Sequence, residues 1–223
     1  MASKEQTGLY RRVRVWSITL RIFHWSFALA CVVLILTGLY IHAPFYTGME
    51  YKSQYTMGIL RFYHFAAAYV FMSALAVRLY LLFFGNRYER FTDFLPINRR
   101  NLRSLFHTMA FYLYLTDRHD CRPGHNALAG TAYFVVLLAS ILISLSGLYL
   151  LYPEVGWIAS LGTTIFGSGQ VARWVHYILS WFFILFLLFH LYIAIWNDLR
   201  SSEGLISGIF SGYKVMPADV EED

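Results

Sequence analysis

Charge is scarce in this chain. Asp, Glu, Lys and Arg make up 14% of its 223 residues, where an ordinary soluble domain carries about one-quarter. Cysteine is nearly absent. Cys31 and Cys121 are the only two, and neither CxxC nor CxxCH occurs, which excludes a haem attached through thioethers. The two are not expected to pair, because Cys31 lies in an apolar run and Cys121 in a basic loop. Basic residues are missing altogether between Pro153 and Gln170.

What the sequence has instead is apolar residues, 58% of the total. They gather in four blocks, each of the roughly 20 residues that a helix needs to cross a bilayer. Helices are the default there because each satisfies its own backbone groups. The predicted spans are Ile18–Ile41, Met57–Phe84, Ala127–Tyr152 and Val171–Trp196. They make one bundle and leave no room for a separate soluble domain, so residues 1–223 read as a single membrane domain. The N-terminal MASKEQTGLYRRVRVW is polar and then basic, and is read as a retained tail rather than a cleaved signal.

The net charge of +5 reports orientation rather than nucleic-acid binding. Lys4, Arg11, Arg12 and Arg14 precede the first span. Arg87, Arg90, Arg99, Arg100, Arg103, Arg118 and Arg122 lie between the second and third, and Arg200 and Lys214 follow the fourth. The other two loops hold only Lys52. The alternation predicts that both termini and the central loop are cytoplasmic. Within that loop, Asn101–Leu115 is apolar and aromatic but too short to span, and is predicted to lie as a helix at the interface. One internal echo is visible: TGLYI at Thr37–Ile41 and SGLYL at Ser146–Leu150 both close a span on the outer side.

Four of the eight histidines fall inside spans: His24, His64, His176 and His190. Ionisable residues in a membrane helix are functional candidates by default. Given the topology, His24 and His190 share a depth near the inner surface, and His64 and His176 share one near the outer. His176 and His190 are 14 residues apart, two heptads, which puts them on one face about 21 Å apart. Two His/His pairs facing a bundle interior suit the two axial ligands of a haem iron. A zinc ion would want three or four donors in one place. The same 14-residue interval leads from His24 to Gly38, where a flat macrocycle can approach the backbone or two helices can simply pack. It leads from His64 to Arg78, which either meets haem propionates or snorkels to the interface. The expected fold is thus an all-α integral membrane four-helix bundle with two haem sites between its helices.

RIFHW at Arg21–Trp25 with Thr37–Gly38, and RWVHYILSWFFILFLLFH at Arg173–His190, resemble the signatures of the cytochrome b subunit of membrane-bound nickel-iron hydrogenases. GNRY at Gly85–Tyr88 and GHNALA at Gly124–Ala129 resemble the same family. Ser26, Trp174, Tyr177 and Ala127 depart from its usual pattern, and none of them removes a histidine. The resemblance implies a membrane anchor for a periplasmic hydrogenase. Electrons from the iron–sulfur small subunit would pass through an outer haem b on His64 and His176 and an inner one on His24 and His190. The final acceptor would be membrane quinone in the bacterial inner membrane. With two cysteines and no CxxC, chemistry on hydrogen would belong to other subunits, including the nickel-iron large subunit. Candidates for the quinone site are His125 and Asn126, with His107 and His119 behind them. Asn126 is equally well placed to cap the third helix. Two other readings stand beside this one. The first is the cytochrome b subunit of a formate dehydrogenase or thiosulfate reductase, or a stand-alone di-haem cytochrome b. The second is a haem-free anchor or transporter. GNRY and GHN favour the hydrogenase family.

Overall fold

A computed structural model describes residues 10–44, 51–91, 127–200 and 204–217. In chain order the elements are β1 (Tyr10–Arg14), α1 (Ile18–His42), α2 (Tyr51–Phe84), α3 (Ala127–Leu151), α4 (Gly156–Phe166), α5 (Gly169–Arg200), α6 (Leu205–Ser211) and β2 (Tyr213–Pro217). Helices α1, α2, α3 and α5 are the four expected from the sequence, and each is long and apolar enough to cross a membrane. Their outward surface is apolar as well. Leu29, Phe62 and Leu188 are each more than 60% exposed, which water would penalise and lipid does not.

Three things differ from the sequence reading. Helix α2 begins at Tyr51, six residues before the predicted Met57. Nothing in YKSQYT breaks a helix, so the backbone continues past the apolar block. The supposed loop from Pro153 to Gln170 contains α4. The chain ends also carry strands: β1 and β2 pair antiparallel, with Tyr10 opposite Pro217 and Arg14 opposite Tyr213. The predicted interfacial helix Asn101–Leu115, with His107, His119, Cys121, His125 and Asn126, lies outside the described residues. Cys31 is a buried free thiol.

The chain divides into two compact units. The first comprises Met1–Arg21, Tyr80–Phe134 and Leu191–Asp223. Its described part is built around the ribbon and the turn after α2. Glu89, 1% exposed, accepts hydrogen bonds from the backbone N–H of Ser17 at 2.8 Å and of Asn86 at 3.2 Å. Asn86 donates its side-chain amide to the Val15 carbonyl at 2.9 Å and accepts from Tyr88 N–H at 2.9 Å. Ser17 caps α1 by accepting from Leu20 N–H at 3.1 Å. The GNRY stretch is therefore a structural clasp between this turn and the start of α1. Gly212, at φ 90°, lets the chain turn from α6 into β2, and its carbonyl accepts from Val15 and Trp16 N–H.

The second unit, Ile22–Leu79 with Val135–His190, holds the middle of all four long helices. Its core is Ala30 and Cys31 of α1, Phe71 of α2, Ala139 of α3 and Phe183 of α5. Phe27 stacks on Phe71 with ring centres 4.3 Å apart, and Phe71 meets Phe183 edge-on at 6.0 Å. Helix α4 packs on α3 through Gly162, where a Cβ would stand 2.2 Å from the Tyr149 ring. The Tyr149 hydroxyl also hydrogen-bonds Thr163 at 3.2 Å.

Candidate functional site

All four membrane histidines lie in the second unit. They sit on a ladder of seven-residue steps. Phe71 stands seven residues from His64 and seven from Arg78, and Phe183 seven from His176 and seven from His190. Seven residues are two helical turns, about 10.5 Å of rise. The aromatic core is thus a layer set midway between two histidine layers.

The structure brings His24 and His190 together with ring centres 6.3 Å apart and planes inclined at 51°. His190 stacks on Phe186 one turn earlier, and Trp25 meets the His24 ring edge-on. His24 Nδ1 is buried and has no hydrogen-bond partner among the described residues. His64 and His176 are likewise within electrostatic reach of each other. Their surroundings are different. Thr37 of α1 places its hydroxyl 2.9 Å from His64 Nδ1, and Ser146 of α3 places its own 3.0 Å from His176 Nδ1. The following residue in each case is glycine. A Cβ on Gly38 would lie 3.4 Å from His64 Cε1, and one on Gly147 would lie 3.3 Å from His176 Cε1. What Gly38 makes room for, among the protein's own atoms, is the edge of the His64 ring.

Arg78 is 2% exposed and engaged in contacts within the protein. That burial does not match a side chain snorkelling to an interface. Sequence reasoning named Gly38 but missed Thr37, Ser146 and Gly147 as neighbours of the histidines. The signal was the TGLYI/SGLYL echo, which read only as two helix ends. Among the described residues, no three His, Cys, Asp or Glu side chains converge as they would around a metal ion held by protein alone. The donor set is two pairs.

The model of the prokaryotic cytochrome b561 family matches residues 15–212. The chain belongs to that family. It is also similar, over nearly its whole length, to curated proteins described as probable Ni/Fe-hydrogenase B-type cytochrome subunits. That of Azotobacter vinelandii is 32% identical, with 97% of this chain and 92% of the relative covered. That of Cupriavidus necator is 32% identical over 90% and 86%. The Escherichia coli K12 protein, described as a probable Ni/Fe-hydrogenase 1 B-type cytochrome subunit, is 30% identical over 90% and 89%. Membership makes this a multi-pass membrane cytochrome of the b type, whose prosthetic group is haem b.

The residues present fit that group. Among the described residues each layer offers two imidazoles from different helices and no third donor, and such a pair would suit the two protein ligands of a haem iron. The His24 and His190 rings, with centres 6.3 Å apart, are close enough that both would hold one such group. The orphaned Nδ1 of His24 and the glycines beside His64 and His176 are further features of a site shaped around imidazoles.

Proposed function

We propose that this chain is the membrane anchor and electron-transfer subunit of a nickel-iron hydrogenase. In this reading it is one membrane domain holding two haem b groups, one on His64 and His176 and the other on His24 and His190. It receives electrons from the iron–sulfur small subunit, which sits with the nickel-iron large subunit at the periplasmic face, and delivers them to membrane quinone. Both termini are cytoplasmic, in the inner membrane. The observation that carries the reading is the pairing by layer: His24 and His190 face each other with ring centres 6.3 Å apart, and His64 and His176 lie within electrostatic reach on the other side of one aromatic core. The choice of hydrogenase as partner rests on the names of the relatives.

When bound, each haem supplies a one-electron iron couple. The rest is done by the chain. The helices hold the imidazoles in opposed pairs. The layer of Phe27, Phe71 and Phe183 keeps water from the space between them. The buried guanidinium of Arg78, at the level of His190 on the ladder, puts positive charge where haem propionates would need it. Gly38 gives room beside His64. His125 and Asn126 are the proposed hydrogen-bonding groups for quinone at the inner surface, where a quinol needs protons.

The test is purification in a gentle detergent, with identification of co-purifying subunits and a haem count. The expected outcome is both hydrogenase subunits and two b-type haems per chain, reducible by hydrogen. A preparation with no reduced-minus-oxidised b-type bands refutes the cytochrome reading. A different catalytic partner refutes the hydrogenase assignment alone.

A further inference from the structure

The two hydroxyls beside His64 and His176 each do two things at once. Thr37 donates to the Val33 carbonyl at 2.6 Å while its oxygen lies 2.9 Å from His64 Nδ1. Ser146 donates to the Ile143 carbonyl at 2.9 Å while its oxygen lies 3.0 Å from His176 Nδ1. A hydroxyl has one proton and two lone pairs. With the proton committed to a backbone carbonyl, the oxygen can meet the ring nitrogen only as an acceptor. Nδ1 must therefore be the donor in both histidines. The backbone carbonyls that face these rings, Leu34 for His64 and Ile143 for His176, are acceptors too, and each stands three residues before its hydroxyl. The neutral ring with hydrogen on Nδ1 carries its lone pair on Nε2.

We infer that Thr37 and Ser146 are positioning residues for one haem. Each fixes its histidine in the Nδ1–H tautomer, leaves Nε2 for the iron, and fixes the ring plane against the adjacent glycine. This rests on the ligand reading proposed above. It has an electronic consequence as well. An imidazole that donates from Nδ1 is a more basic ligand at Nε2, and a more basic ligand favours ferric over ferrous iron. The two hydroxyls hold the potential of the His64–His176 haem below the value it would have without them.

The test uses the full-length holoprotein and three kinds of variant. Thr37→Val and Ser146→Ala remove the hydroxyl acceptors and leave only the backbone carbonyls. Thr37→Ser and Ser146→Thr keep the hydroxyls. Ser140→Ala removes a buried hydroxyl of α3 that bonds the Val136 carbonyl. The haem in question is identified as the one lost in His64→Ala. Each hydroxyl-free variant should move the ferric/ferrous equilibrium of that haem towards ferrous by three- to tenfold, tenfold being about 59 mV for one electron. Its low-spin ferric resonance should change, and the other haem should not respond. The hydroxyl-keeping variants and Ser140→Ala should match the parent. Unchanged potential and resonance in both Thr37→Val and Ser146→Ala overturn the inference, as does an equal shift in Ser140→Ala. Loss of the haem in Thr37→Val supports it if Thr37→Ser restores the haem and overturns it if not. A His64→Ala protein that keeps two b-type haems overturns the ligand reading itself.

Discussion

Glu89 is the residue whose removal the structure translates most directly into a number. Its carboxylate is buried and receives two backbone N–H groups, one from Ser17 at the start of α1 and one from Asn86 in the turn after α2. A hydrogen bond to a charged group is worth about 1.5–3 kcal/mol net. An anion at a helix N-terminus adds about 0.3–1 kcal/mol. Glu89→Ala therefore removes about 3–7 kcal/mol of interaction. Water entering the gap recovers part of that, which leaves a destabilisation of about 3 kcal/mol. For a chain of this size each kcal/mol corresponds to about 2–4 °C, so the midpoint should fall by about 6–12 °C. Glu89→Gln keeps one acceptor oxygen and turns a donor towards the other N–H, so it should lose at least half as much. The assay is thermal unfolding in detergent followed by circular dichroism at one fixed scan rate, because detergent-solubilised proteins rarely refold. If both variants melt within about 1 °C of the parent, the clasp at Gly85–Tyr88 is not a stability device and the reasoning fails.

The ligand assignment predicts that His64→Ala and His176→Ala abolish one haem, and that His24→Ala and His190→Ala abolish the other. Haem quantification with redox titration reads this out, and a shared phenotype for His24 and His64 would break the pairing. Gly162→Ala forces a methyl to within 2.2 Å of the Tyr149 ring. Overpacking of that kind costs about 1–3 kcal/mol, and an unchanged melting temperature would mean that α4 does not sit tightly on α3. Reporter fusions placed after Arg200 should be active on the cytoplasmic side of the membrane, and fusions active only in the periplasm would refute the proposed topology.

The helices were legible because lipid leaves a segment little choice. A long apolar run without charge must satisfy its own backbone, so α1, α3 and α5 sit within a few residues of their expected bounds. The early start of α2 was not legible, because hydropathy marks where a membrane core begins and not where a helix does. The ribbon was hidden for a different reason. YRRVR and YKVMP are short and poorly alternating, and their pairing joins residues some 200 positions apart. Among the site residues, the histidines could be read because an ionisable group in a span calls for an explanation. Thr37 and Ser146 did not stand out, because a hydroxyl in a membrane helix ordinarily bonds the carbonyl three or four residues back. Both do so. Only the second contact, made across helices, sets them apart.

That second contact gives the sequence echo a physical content larger than five residues. Shifted by 109 positions, α1 maps onto α3: Phe27 on Val136, Ala30 on Ala139, Leu34 on Ile143, Thr37 on Ser146 and Gly38 on Gly147. Shifted by 112, α2 maps onto α5: His64 on His176, Phe71 on Phe183 and Arg78 on His190. Ala30 and Phe71 of the core correspond to its Ala139 and Phe183, and so do the hydroxyl, the glycine and the histidine of one layer. The other layer breaks the correspondence. His24 maps onto Tyr133, and Arg78 maps onto His190. One histidine pair is therefore built twice from the same local design, with both imidazoles oriented alike. The other draws its two histidines from positions that are not equivalent, and His24 has no hydroxyl partner at Nδ1 among the described residues. If each pair holds a haem, as proposed above, two centres in such different surroundings should not share a potential. On the proposed ligand reading, the basicity argument predicts that the His64–His176 centre is the more reducing of the two, which would make the step from it to the His24–His190 centre downhill. Redox titration of the parent protein, with the bands assigned from the histidine variants, checks this order. A His64–His176 haem with the higher potential would mean that the hydroxyls do not dominate the electronic difference between the layers.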